Sequence, residues 1–153
     1  MRKLFFITCV GLVLCGCHSN GKSADADQSP ESDGSLGLVW QVDYDNKTMT
    51  RNPMFRDEDL NVDSMLSRLN RAYPKIQLQQ LRLGSDTLYL EIKEAYELTE
   101  AMGTYGANSY IADAVINLTS VNGIAFVNIY FRDGTHLSHG TWGKKEFSEF
   151  KAG

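Results

Sequence analysis

Few residues in this sequence combine a reactive side chain with a spacing that chemistry requires. Cys9, Cys15 and Cys17 are the only cysteines, and Cys15 and Cys17 flank Gly16 where an apolar run gives way to a polar one. Two imidazoles stand close together in His136-Leu137-Ser138-His139 and could ligate zinc. On a strand, however, positions i and i+3 point to opposite faces, and no HExxH helix or third ligand accompanies them. They read as two polar residues on a hairpin edge. Ser138 beside His139 lacks a G-x-S-x-G elbow, and Asp113 and Asp133 belong to a helix face and a turn. Glu94, Glu97 and Glu100 recur at intervals of three beside Tyr96 and Leu98, a solvated face over a partly buried edge. Gly103-Thr104-Tyr105-Gly106 precedes a helix and could hold an anion, but it lacks a P-loop lysine and reads as an entry turn. No catalytic residue, metal ligand or cofactor site is assigned, and the chain is not expected to be an enzyme.

The elements that place the cysteines are simple. Met1-Arg2-Lys3 is a basic head, residues 4–14 are apolar except for Thr8 and Gly11, and Gly16 is a small residue at the exit. A bilayer span needs roughly 20 apolar residues, so this run reads as a secretory signal. Its end, Leu14-Cys15-Gly16-Cys17, resembles the bacterial lipoprotein lipobox: an aliphatic residue, a small residue, Gly or Ala, then the modified cysteine. Using Cys15 instead would put the bulky Leu14 where a small side chain is needed. The resemblance implies cleavage after Gly16, a diacylglycerol thioether on Cys17 and usually a further acyl chain on the new amino terminus. Two chains make a stable membrane anchor, each buried methylene adding about 0.8 kcal/mol. The competing reading is a plain cleaved signal with incidental cysteines. After lipoprotein processing no free thiol would remain, which excludes disulfides, cysteine zinc sites and cysteine nucleophiles.

Residues 18–35 hold no aromatic and no aliphatic larger than Ala. Such a segment cannot bury enough apolar surface to offset its ordering entropy. It reads as a tether with a root-mean-square reach of roughly 25 Å. Loss of Arg2 and Lys3 leaves 13 basic against 19 acidic residues, a formal charge of −6. That balance carries no footprint for nucleic acid and no attraction to anionic lipid. The first acids after Cys17 are Asp25 and Asp27, so neither a surface-export run nor an Asp directly after the cysteine is present. The expected location is the bacterial envelope, on the periplasmic side of an outer membrane. The organisation is a signal over residues 1–16, lipidated Cys17 and tether over 17–35, and one domain over 36–153.

Within the domain, Leu38, Trp40, Val42 and Tyr44 alternate as a half-buried strand ending at Asp45-Asn46. Residues 47–59 show no period, and Asp59 is placed to cap the next helix. Val62, Met65, Leu66, Leu69 and Tyr73 then recur at helical spacing up to Pro74. Two strands follow around Gly84-Ser85-Asp86, with a bulge suggested by the parity break at Gln79-Gln80. Ala107, Tyr110, Ile111, Ala114, Val115, Leu118 and Val121 form the strongest helical stripe, closed by Asn122-Gly123. Residues 124–131 predict a central strand, and Arg132-Asp133-Gly134-Thr135 a hairpin turn into a last strand over 135–142. The fold class is α+β, in the order strand, helix, strand, strand, helix, strand, strand. The expectation is one mixed sheet with both helices on one face.

Asn117-Leu118-Thr119, Val121, Gly123, Val127, Ile129 and Phe131-Arg132-Asp133-Gly134 resemble the closing segment of the sporulation and spore germination (GerMN) domain. In that family a helix with a Leu-Thr pair leads into a strand ending in Asp-Gly. The strand over residues 87–93 and the glycine-containing loop before the helix also fit. The resemblance implies a membrane-linked βαββαβ domain, related in shape to ring-building assembly modules, without a catalytic constellation. This chain departs from the family in carrying one copy and a long irregular segment at 47–59.

The leading functional expectation is therefore a lipid-anchored envelope protein that docks another protein or a second copy of itself. Its partners would be the membrane, through the lipid, and that protein, with no nucleic acid and no small-molecule substrate. A second reading is a peptidoglycan or glycan module. It needs at least two of Trp40, Tyr44, Tyr89, Tyr130 and Trp142 exposed on one face, although alternation assigns Trp40 and Tyr44 to the core. A third, a metal-dependent hydrolase, needs His136 and His139 to converge with a carboxylate.

Overall fold

The computed structural model describes residues 37–153. Cys17, the signal and the tether lie outside the described residues. Two antiparallel strands open the domain, β1 (Trp40–Asp43) and β2 (Thr48–Arg51). Asp43 makes the turn between them by accepting from the Asn46 backbone at 3.0 Å and from its side-chain amide at 2.7 Å. Lys47 completes it with a left-handed φ of 52°. Strand β2 falls inside the segment expected to be irregular. Its sequence, Thr-Met-Thr-Arg, offers only Met49 to the interior, too little for a hydrophobic alternation to be visible. A 3-10 turn at Asp57–Asp59 follows.

Helix α1 (Val62–Ala72) is capped by Asn61, not by Asp59 as expected: the Asn61 side chain accepts from Ser64 N at 2.9 Å. Asp59 instead pairs with Arg68 at 3.1 Å and with Arg56 at 3.2 Å. The strands β3 (Leu78–Leu83) and β4 (Thr87–Ile92) form a hairpin whose register shifts between Gln80 and Arg82, making Leu81 the bulged residue.

A π-helical turn (Glu97–Ala101) then runs into helix α2 (Gly103–Leu118). Gly103 to Gly106 is thus the first helical turn and not a preceding loop. Gly103 sits at the junction with φ 70°, a conformation that a Cβ would strain. The helix ends where the Thr119 and Ser120 hydroxyls bond back to Val115 O at 2.6 Å and Ile116 O at 2.8 Å. Gly123, at φ 85°, makes the left-handed stop beyond two short turns.

Strands β5 (Phe126–Tyr130) and β6 (Gly140–Gly143) complete a four-stranded sheet in the order β3-β4-β5-β6. The central pair β4 and β5 is parallel, and the outer pairings are antiparallel. A short β7 (Lys151–Ala152) pairs in parallel with β2.

The expected single sheet is therefore two. Leu88, Leu90, Ile92, Val127 and Ile129 lie on one face of the four-stranded sheet and share a core with Met65 and Leu69 of α1 and Tyr110, Ala114 and Leu118 of α2. Each fully buried aliphatic side chain there contributes about 1.5–3 kcal/mol. Ala112 and Ile116, on the other side of α2, pack with Phe150, with Trp40, Val42 and Met49 of the β1-β2-β7 sheet and with Tyr44 of the turn after β1. Helix α2 lies between two sheets, so it is apolar around most of its circumference. The first strand joins the second sheet because α2 presents this additional apolar face.

Candidate functional site

Two surfaces combine exposed side chains with a defined backbone frame. The first is the face of the four-stranded sheet opposite the helices. Register places Arg82, Tyr89, Asn128 and Thr141 in one row across it, and Glu91 beside Tyr130 in the next. The Arg82 guanidinium lies 3.4 Å from the Tyr89 ring centroid, and Asn128 donates to Thr141 Oγ1 at 2.6 Å. Phe126 and Tyr130 stand two positions either side of Asn128 and are 42% and 55% exposed. At the edge, Leu81 and Leu83 of β3 are more than half exposed.

The second surface is a cleft of about 440 Å³ beyond the carboxyl ends of β4 and β5, lined by Lys93, Glu94, Tyr96, Thr99, Glu100, Arg132 and Asp133 among others. The adjacent parallel strands aim their following loops, residues 93–96 and 131–139, at this one place. The π-helical turn forms one wall. Two carboxylates hold the longer loop. Glu100 accepts from Thr135 N at 2.9 Å, and Asp133 Oδ1 accepts from His139 N and lies 2.8 Å from His139 Nδ1. These hydrogen bonds, the backbone ones foremost, hold both carboxyls below their ordinary range. Gly134 permits the approach, because a Cβ there would lie 2.5 Å from Thr99 Cβ and closer still to Glu100 Oε1.

The structure separates the two histidines that spacing brought together. Residues 131–139 form a loop and not a tight hairpin turn followed by a strand, so strand alternation does not decide where the imidazoles point. His136 meets Thr104 Oγ1 at 3.1 Å, while His139 meets Asp133 and lies 5.6 Å from the Tyr130 ring. Among the described residues no three His, Cys, Asp or Glu side chains are grouped to hold a metal ion. Ser138 has no hydrogen bond to either imidazole.

Of the three glutamates, Glu97 pairs with Lys75 at 3.3 Å, Glu100 fastens the loop, and Glu94 lines the cleft. They are therefore not equivalent members of a solvated face. Of the five aromatics, Trp40 is held by its indole N–H on Ser120 Oγ at 3.0 Å, Tyr44 packs edge-on to Tyr105, and Trp142 leans on the core. Tyr89 and Tyr130 remain on the open sheet face, joined there by Phe126.

No protein-family model, curated protein or solved structure matches this chain. The site must be read from its own chemistry. Sequence reasoning passed over Phe126, Lys93 and Arg132. Their signal was parity: residues 126, 128, 130 and 132 alternate with the buried Val127, Ile129 and Phe131, as residues 89, 91 and 93 do with the buried Leu90 and Ile92.

Proposed function

We propose that this is a lipid-anchored protein of the bacterial envelope whose domain docks another envelope protein through the open face and β3 edge of its four-stranded sheet. The observation that carries the reading is the exposed apolar side chains of this sheet: Phe126 and Tyr130 on the open face, and Leu81 and Leu83 along the β3 edge, where Leu83, paired with the buried Leu88, points to the helix side. Exposed apolar patches on a polar surround mark interaction sites. The partner committed to is a protein chain presenting apolar side chains to this sheet. The lipobox-like Cys17 supports the anchor, and no helix among the described residues is long and apolar enough to cross a membrane. The GerMN-like run from Asn117 to Gly134 supports an assembly role without catalysis, although here β1 belongs to the second sheet. The periplasmic face of an outer membrane is the location proposed.

A photoreactive residue placed in turn at Leu81, Leu83, Phe126 and Tyr130 in cells tests the docking. The expected result is a discrete adduct to one protein at these positions and none at exposed positions of α1 such as Arg71. Equal labelling at both sets, or none at either, overturns it.

A second reading is supported by the line Phe126, Asn128, Tyr130. Two exposed rings flanking a side-chain amide can stack on sugar rings while the amide bonds a hydroxyl. Pull-down of the protein on isolated peptidoglycan, lost on Phe126→Ala with Tyr130→Ala, would favour this saccharide reading.

A further inference from the structure

The alternation of the open sheet face continues past the strand ends. Ile92 and Phe131 are buried while Lys93 and Arg132, which follow them, are exposed, and both cations line the 440 Å³ cleft. Neither cation has an ion-pair partner among the described residues, so both are available to a ligand entering the cleft. Both line one cleft beyond the ends of two adjacent parallel strands, so an anionic group entering it would meet two positive charges.

The cleft is not simply anion-selective. Glu94 and Asp133 also line it, and of the Asp133 oxygens only Oδ1 is engaged by His139. An inorganic anion would gain from Lys93 and Arg132 and lose against these carboxylates. A ligand satisfying both signs needs one anionic group together with several uncharged donors. Tyr96 adds a third requirement: its ring is 72% exposed at the cleft wall and offers a flat apolar face. A sugar ring carrying a carboxylate meets all three. Its acid group faces the cations, its hydroxyls donate to the free carboxylate oxygens, and its C–H face lies on the tyrosine. The cleft is of the size that holds a small ligand. It is continuous in alternation with the Tyr130 and Phe126 row, along which further sugars of a chain could lie.

We propose that this cleft binds the acidic residue of a carboxylated saccharide, with Lys93 and Arg132 holding the carboxylate and Tyr96 the ring. The proposal rests on the saccharide reading above and names its substrate class.

The test is titration of the full chain in detergent micelles with short oligomers of glucuronate, short oligomers of glucose, and glycine, followed by calorimetry and by tyrosine fluorescence. The expected result is at least tenfold tighter binding of glucuronate oligomers than of glucose oligomers. That preference should be lost in Lys93→Gln with Arg132→Gln and should weaken with added salt. Both positions are exposed, so thermal unfolding should match the parent chain. Phe126→Ala should weaken both saccharides together and leave the ratio unchanged. Equal binding of the two oligomers, unaffected by the double variant, overturns the acid site while leaving the saccharide reading intact. Absence of binding by either overturns both. Glycine binding as tight as glucuronate binding would show that the cleft takes a small zwitterion and not a sugar.

Discussion

Asn117 of α2 joins Trp40 of β1 by two hydrogen bonds running in opposite directions. Trp40 N donates to Asn117 Oδ1 at 2.8 Å, and Asn117 Nδ2 donates to Trp40 O at 3.1 Å. A fully buried side chain thus takes the place of a neighbouring strand and fixes the β1-β2-β7 sheet to the helix. Asn117→Ala would leave both backbone groups of Trp40 unpaired next to the core. We expect a loss of about 2–3 kcal/mol in urea unfolding. A loss below about 0.5 kcal/mol would show that the sheet is held by packing alone.

Asp113 lies beside Tyr73, whose hydroxyl donates to it, and near Tyr110, whose buried hydroxyl has no hydrogen-bond partner among the described residues. Burial pushes the Asp113 carboxyl from 3.8 to about 6, against the lowering effect of Tyr73. Below pH 3.8 native and unfolded chains are both protonated at this site and its contribution is fully present. As pH rises towards 6 the unfolded chain ionises first, and stability falls by on the order of 3 kcal/mol before levelling above the folded value. Asp113→Asn should remove that slope from a plot of unfolding free energy against pH. A slope unchanged in the variant would place its origin elsewhere.

Glu100 and Asp133 have the opposite sign. Their carboxyls lie below the ordinary values of 4.5 and 3.8, so the stability that they lend the loop over residues 131–139 is present above those values and lost as pH falls through the lowered ones. Amide exchange at Thr135 and His139, corrected for intrinsic rates, should accelerate on acidification before exchange at Leu90 or Ile129. Protection that fails in all four together would mean that the loop opens only with the whole domain.

Gly134→Ala tests the packing beneath the same loop. The added methyl meets Thr99 and Glu100, one buried and one pinned to Thr135. About 1–3 kcal/mol of stability should be lost, with faster exchange of the Thr135 amide. Gly123→Ala should also destabilise, through its φ of 85° and not through crowding, because no atom lies within 4 Å of a Cβ there.

For the anchor, Cys17→Ala should leave the chain unprocessed or release it from membranes, as read by fractionation and by mass of the mature amino terminus. A normally processed product retained on membranes would count against lipidation at Cys17.

Local periodicity made most elements legible: β1, α1, β3, β4, α2 and β5 all follow from the spacing of apolar residues, and the α+β class follows from their order. Strand β2 was hidden because a four-residue strand with one inward side chain has no period to detect. The cap of α1 was assigned to the wrong side chain because Asp59 and Asn61 both have the required chemistry, and only the position of Arg68 decides which is free to cap.

The sequence by itself determined the two helices, the apolar strands, the acidic charge and the passage from an apolar amino-terminal run to a polar segment, since these depend on neighbours along the chain. Tertiary structure alone decided that β1 leaves the main sheet, because the apolar face of α2 formed by Ala112 and Ile116 needed a cover of its own. It also decided that His136 and His139 face different partners and that Lys93 and Arg132 line one cleft. Those placements depend on pairing β4 with β5 across an intervening helix, and no spacing within either segment encodes that distance.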